Sequence, residues 1–279
     1  EWVYRRFLES VIGVLGGAAY NYFLADKVKI VVHIGTDFPI CHNRNKSILA
    51  AKYTWGADYI MQFDADQTFS ITTLMDLYER MQKPAPDGSE VEVVSGMYFM
   101  KRAPFRPVLG SYVNGWEKGM EQNMPMLDRY GYVCHGDCGR QEHLDGENHQ
   151  LVRWTSPHTW RQDGLYRTDV IGVGCVLSRA SMWDKLDFPY FRYGPDPGDG
   201  PKYGEMFTIS EDMYWCAQMH RKGVKVWVDP KVQLGHIGVL ESDKSLYEGA
   251  FEVARRRIME KPDSDPEKKT FQEALVHAE

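Results

Sequence analysis

The sequence has no apolar run long enough to span a bilayer. A membrane helix needs about 18 or more consecutive apolar residues, and the longest soft stretch, Val11 to Ala19, is short and glycine-rich. Positive charge is not in excess either: 33 Lys+Arg face 39 Asp+Glu, a formal net charge of −6. That argues against a generic nucleic-acid coat protein, although a local basic groove is compatible with it. Cysteine is sparse and odd in number. The five, Cys41, Cys134, Cys138, Cys175 and Cys216, are scattered over 279 residues. No disulfide framework is therefore expected, and a reducing, cytoplasmic setting is the simpler reading. A Walker-type phosphate loop is missing, which argues against a P-loop NTPase, and so is a complete Gly-x-Gly-x-x-Gly fingerprint. With 43% hydrophobic and 26% charged residues the composition is ordinary for a globular domain.

Apolar spacing sets out the elements that are there. Val3, Phe7, Val11 and Val14 recur at helical intervals, and Gly16-Gly17 is expected to interrupt that helix. Lys27 to Ile34 is almost continuously apolar at its centre, the pattern of a strand buried on both faces. Asn43 to Trp55 suits a helix, with Gly56 as its stop. Ala57 to Phe63 reads as a second buried strand, ending on Asp64-Ala65-Asp66; Ile71 to Met81 is a helix and Val91 to Met97 a strand. Alternation at this spacing predicts βαβ units and an α/β fold with a mostly parallel sheet flanked by helices. Ligands bind beyond the carboxyl ends of such strands.

From Lys101 to Thr168 the periodicity lapses into a segment rich in Gly, Pro, Trp, His and Cys; irregular stretches of this length are usually functional or mobile. Asp169 to Leu177 is then a strand leading into a helix that runs to Lys185. Glu211 to Lys222 is a helix, and Val224 to Val228 and Val232 to Gly235 are strands. Ser245 to Lys261 is a last amphipathic helix. The expected organisation is one domain over 1–240, with an irregular insertion at 101–168 and a helical appendage at 241–279.

Several residue groups carry chemistry. Asp64 and Asp66 end an apolar strand. Like charges this close raise each other's pKa unless a cation lies between them. Mg²⁺ or Mn²⁺ takes oxygen ligands and leaves positions for phosphate. The plainer alternative is a turn in which Asp66 caps the next helix. Glu211 and Asp212 open a helix after Ser210, where the helix dipole favours acids in any case; one that faced a cleft would serve as a general base. His236 sits in Leu234-Gly-His-Ile-Gly238. Flanking glycines allow close approach, and neutral imidazole binds metals, but a lone histidine is also a common structural residue. Gly172 and Gly174 mark either a bulge or a place where a sugar or nucleotide nears the backbone. Cys134, Cys138, His143 and His149 place four zinc-capable side chains within sixteen residues; the spacing is that of no standard finger, and free thiols with surface histidines are the alternative. Arg255-Arg256-Arg257 is the solvated face of the last helix or a phosphate contact.

Taken in order, these pieces resemble the GT-A glycosyltransferases, particularly the family-2-like and mannosylglycerate-synthase-like members, bacteriophage-encoded ones included. The likeness covers roughly residues 1 to 240. It rests on Arg44-Asn45, Gly56 to Asp66, Gly172 to Arg179, Ser210-Glu-Asp-Met213, Gly223 to Pro230 and Leu234-Gly-His236. The resemblance implies a Rossmann-like GT-A fold and a nucleotide-sugar donor, UDP- or GDP-linked, bound with Mn²⁺ or Mg²⁺. It makes Asp64 and Asp66 the family's Asp-x-Asp and His236 its late metal-binding histidine. Arg44 and Asn45 would face the nucleotide, and Gly172 to Gly174 would line the donor sugar. Asp212, with Glu211 beside it, matches the base of inverting members. The expected reaction is transfer of a single sugar, although Gln150 to Trp154 spell the Gln-x-x-Arg-Trp string of processive synthases.

The family opens with a buried strand, whereas this sequence opens on the helix that follows it, so that strand is expected to be missing or replaced. The insertion, with Trp116, Trp154 and Trp160, is where acceptor choice is expected; protein, glycan, metabolite and modified DNA base are all open as acceptors. Two other readings compete. One is a degenerate GT-A domain that binds without catalysis. The other is a nucleotidyltransferase, which would want a glycine- and lysine-rich phosphate loop near its start.

Overall fold

Residues 2–21, 29–35, 39–100, 107–112, 152–154, 164–193 and 210–237, with 256, 259, 260 and 262, are described by a computed structural model. In chain order the elements are α1 (Trp2–Asn21), α2 (Ile40–Leu49), β1 (Tyr59–Phe63), β2 (Gln67–Thr68), α3 (Thr73–Met81), β3 (Val93–Met97), β4 (Leu109–Tyr112), β5 (Val152–Trp154), β6 (Tyr166–Thr168), β7 (Val170–Ile171), β8 (Cys175–Arg179), α4 (Glu211–Arg221), β9 (Val226–Gln233) and β10 (Gly235–His236). None of these helices is long and apolar enough to cross a membrane.

Among the described residues the central sheet is five-stranded, in the order β1-β8-β3-β9-β6. It is mixed, and mostly antiparallel by pairing: only β3 and β9 pair parallel, while β1–β8, β3–β8 and β6–β9 pair antiparallel. This corrects the expectation of a mostly parallel sheet, and the reason is topological. The alternation of helix and strand correctly implies that β1 and β3 point the same way. It carries no information that β8, from much later in the chain, inserts between them and runs in the opposite sense. The consequence for function is direct. β1, β3 and β9 all deliver their carboxyl ends to one edge, where β8 begins, so Asp64, Tyr98, Gly174 and His236 arrive together.

Both faces of this sheet are covered, and the strands alternate accordingly. Val93, Val176, Val226 and Val228 pack into one cluster with Ile48, Trp183 and Trp215. Val94, Cys175, Leu177 and Trp227 pack into the other with Val14, Leu77 and Met81. On the first face Trp183 stacks on Trp215 at 5.6 Å, and its indole N–H donates to Ser178 Oγ at 2.9 Å. Trp→Ala in a filled core costs about 3–5 kcal/mol. Trp183→Ala is therefore expected to lose that much in urea denaturation, and a loss below about 1 kcal/mol would show that this layer is not packed as described.

Other expectations need correction. Gly16-Gly17 does not end the first helix, which runs on to Asn21. The strand expected over 27–34 is not formed within the described residues 29–35; Val31, Val32 and Ile34 are 47%, 53% and 76% exposed. Strand-like composition needs a neighbouring strand to pair with, and none among the described residues pairs there. The helix expected at 43–55 starts at Ile40 and finishes as a π-turn over Ala50–Thr54, with Gly56 at φ +60° as the stop. The strand expected over 169–177 is broken at Gly172–Gly174 into β7 and β8. Conversely, β9 is one strand where two were expected. Its register slips between Gly96 and Met97, so Pro230 lies in the bulge, where a residue without an N–H is tolerated. The described part of the insertion is not wholly irregular: β4 and β5 form a small sheet with β7, in the order β5-β4-β7. Cys134, Cys138, His143 and His149, with Trp116 and Trp160, lie outside the described residues, as does nearly all of the helix expected over 245–261.

Candidate functional site

The site is built at the carboxyl end of β1. Phe63 is its last residue, and the Asp64 N–H donates to the Gly174 carbonyl at 3.0 Å, prolonging contact with the chain entering β8. The backbone then turns, with the Gln67 N–H donating to the Asp64 carbonyl at 3.2 Å. β2 pairs with β10, setting Gln67 opposite His236, and the Ile237 N–H donates to the Asp66 carbonyl at 2.7 Å. The aspartate turn and the histidine, about 170 residues apart in sequence, are thus fastened to each other by backbone hydrogen bonds.

His236 is oriented by its surroundings. Its Nδ1 is 2.8 Å from the Phe99 carbonyl oxygen; a carbonyl can only accept, so Nδ1 carries the hydrogen. In the neutral ring Nε2 then presents a lone pair, and it lies 3.7 Å from Asp66 Oδ1. A carboxylate oxygen and an imidazole lone pair aimed at each other suit a shared cation or proton. Tyr98 packs edge-on against the imidazole, ring centroids 5.4 Å apart.

Asp64 faces elsewhere. Arg44, from the middle of α2, donates from Nη2 to Asp64 Oδ1 at 2.8 Å; its Nε lies 3.5 Å from Glu211 Oε1 at the start of α4. One guanidinium thus ties the β1 turn to the α4 N-terminus. Asn45 anchors the helix beneath it, its amide donating to the Phe191 carbonyl at 2.7 Å and accepting the Phe191 N–H at 3.1 Å. Asp212 accepts the Ser210 hydroxyl and, at 2.8 Å, the Met213 N–H, so its charge is met by donors of the first helical turn.

Burial sets the electrostatics of this cluster. Burial alone would lower the Arg44 guanidinium, but the Asp64, Glu211 and Asp212 carboxylates outweigh it and hold the group above its ordinary value. Glu211 is raised, chiefly by burial and next by the neighbouring Asp212 charge, with Arg44 opposing. Asp212 is raised by burial as well, against the stabilising Ser210 hydroxyl and Arg44. The pair at the head of α4 therefore holds protons more tightly than free carboxylates do.

Of the residues the sequence singled out, Asp66 meets His236, and Arg44 meets Asp64 and Glu211. The three expected metal ligands do not come together, because Asp64 is engaged by Arg44. Among the described residues no three His, Cys, Asp or Glu side chains surround a common point. Asp66 and His236 fit a divalent cation as a pair, and Asp64 could join them only by leaving Arg44. The side chain of Asn45 is spent on the Phe191 backbone.

Two residues escaped the sequence reading. Tyr98 lies across the glycine pair: its hydroxyl accepts the Gly174 N–H at 3.3 Å, and a Cβ on Gly172 would fall 1.7 Å from that hydroxyl oxygen. A Cβ on Gly174 would come within 2.8 Å of Gln67 Nε2. Gln67 is fully buried, and neither of its amide atoms finds a hydrogen-bond partner among the described residues. The glycines thus make room for Tyr98 and Gln67 beneath the aspartate turn. Gly172→Ala is expected to lower the melting temperature by several degrees, and adding Tyr98→Phe should recover part of it. Equal stability of Gly172→Ala and the parent would refute the contact.

No family model and no curated protein matches the chain. Among solved structures it is similar to the crystal structure of A197 from STIV, at 11% identity over 84% of this chain and 83% of that one, with a TM-score of 0.46.

Proposed function

We propose that this protein is a GT-A-type glycosyltransferase that moves a sugar from a UDP- or GDP-linked donor to an acceptor hydroxyl, with Mn²⁺ or Mg²⁺ as cofactor. The observation that carries the reading is convergence. Residues the family pattern singles out along the sequence, Arg44, Asp64, Asp66, Glu211, Asp212 and His236, gather at one edge of the sheet. Such an edge is where α/β folds place ligands.

The geometry supports the following roles. Asp66 and His236 would hold the cation, which as a Lewis acid would neutralise the departing diphosphate. Before a cation is bound, Arg44 holds the Asp64 carboxylate by its 2.8 Å hydrogen bond, beside Gly174. Asp212, held by Ser210 and the Met213 N–H, would take the proton of the acceptor hydroxyl as the sugar is transferred, with burial, the Ser210 hydroxyl and Arg44 setting its proton affinity. Preorganised charge of this kind is usually the largest catalytic contribution. The insertion would supply acceptor contacts.

Calorimetric titration with UDP- and GDP-sugars tests the reading. Donor binding should require Mn²⁺ or Mg²⁺. Equal binding with and without the cation would remove the metal from the account.

A further inference from the structure

Arg44 is 8% exposed and carries an unused donor: Nε makes no hydrogen bond among the described residues, though it lies 3.5 Å from Glu211 Oε1. Its Nη2 is committed to Asp64 at 2.8 Å, and Nη1 is at the outer limit of a contact with the Val173 carbonyl, 3.5 Å. The backbone beneath it is pinned by the two hydrogen bonds between Asn45 and Phe191, and the guanidinium lies over the Phe191 ring at 5.7 Å. With the helix fixed and the group buried, its main freedom is to redistribute between two carboxylates. Closing the Nε–Glu211 gap to ordinary hydrogen-bond length takes about 0.6 Å.

We propose that Arg44 is a transferable counter-ion: it occupies Asp64 while no divalent cation is bound, and passes to Glu211 when a cation draws Asp64 away. This rests on the cation reading above and adds a positioning role for Arg44 and Glu211 that the resemblance does not supply. The exchange costs little, because a buried guanidinium that lost one carboxylate with no other at hand would be left unpaired, which is strongly unfavourable. Glu211 is the waiting partner. Loading of the cation at the β1 turn is thereby transmitted to the head of α4, where Asp212 sits.

Mn²⁺ alone, titrated into the full chain and followed by electron paramagnetic resonance, tests this without relying on activity. Arg44→Met frees Asp64 and should tighten Mn²⁺ binding about tenfold, within the range ordinary for coupled sites. Glu211→Gln removes the receiving carboxylate and should weaken binding several-fold. A general change in local charge would give the same signs, so the double variant decides. In the Arg44→Met background, Glu211→Gln should change the affinity by less than about twofold, because the coupling runs through the arginine. Additive effects of the two substitutions, or single variants indistinguishable from the parent, would overturn the exchange while leaving the cation site intact. If Arg44→Met does not fold, Arg44→Lys replaces it in the cycle, with a smaller expected gain. Failure of parent and Arg44→Met alike to bind Mn²⁺ would overturn the cation reading and the exchange with it.

Discussion

Asp66→Ala is expected to abolish cation-dependent donor binding. Asp66 Oδ1 and His236 Nε2 face each other at 3.7 Å, and the imidazole is fixed by its hydrogen bond to Phe99. The alanine variant would leave one protein donor of the pair. Loss of a residue that merely orients a ligand typically costs 10–100-fold in metal affinity, so loss of the ligand itself should exceed about 100-fold. The side chain is partly exposed, and the backbone bond from Ile237 to the Asp66 carbonyl is untouched by the substitution; the far-ultraviolet circular dichroism should therefore match the parent. Mn²⁺ affinity within a few-fold of the parent, in a folded Asp66→Ala protein, would remove Asp66 from the site.

Asp212→Asn should act on the other half of the reaction. A positioned general base contributes about 10²–10⁴-fold, and the asparagine keeps the shape of the side chain while losing its basicity. Transfer should fall by that factor, with donor affinity changed by less than about threefold. The pH profile supplies an independent check. Burial raises Asp212, so the parent's transfer rate should rise with pH along a limb lying above the ordinary aspartate range, and that limb should vanish in the variant. The same shift has a cost in stability. A carboxyl with a raised folded pKa contributes stability below its unfolded pKa, and that contribution is lost as pH rises through the folded value. Holding Asp212 in this place is thus mildly unfavourable under the conditions in which it works. Full transfer activity in Asp212→Asn would remove it from the mechanism.

What the sequence made legible was local. An apolar run closing on Asp64-Ala65-Asp66, a helix opening on Glu211-Asp212 and a strand ending near His236 all follow from spacing and cap chemistry, and the structure places them so. Gly56 marks a helix end because only a residue without a side chain adopts φ +60° cheaply. What was not legible depends on partners distant in sequence. The apolar residues at 31–34 read as a buried strand, yet they are exposed because no described strand lies alongside. The antiparallel insertion of β8 between β1 and β3, and the bulge that carries Pro230, are matters of pairing that periodicity does not encode. Within the site, Arg44 and Asp64 were both singled out, but for a nucleotide and a metal rather than for each other. Tyr98 and Gln67 gave no signal, since an aromatic after one strand and an amide after an aspartate turn are unremarkable until Gly172 and Gly174 are seen to accommodate them.

The measurement that bears most directly on the proposal is release of nucleoside diphosphate from a panel of UDP- and GDP-sugars, with Mn²⁺ and with chelator, by the parent and by Asp66→Ala. The account predicts slow release from at least one donor by the parent, dependent on the cation and lost in the variant. No release from any donor, or release that persists with chelator and in Asp66→Ala, would contradict it.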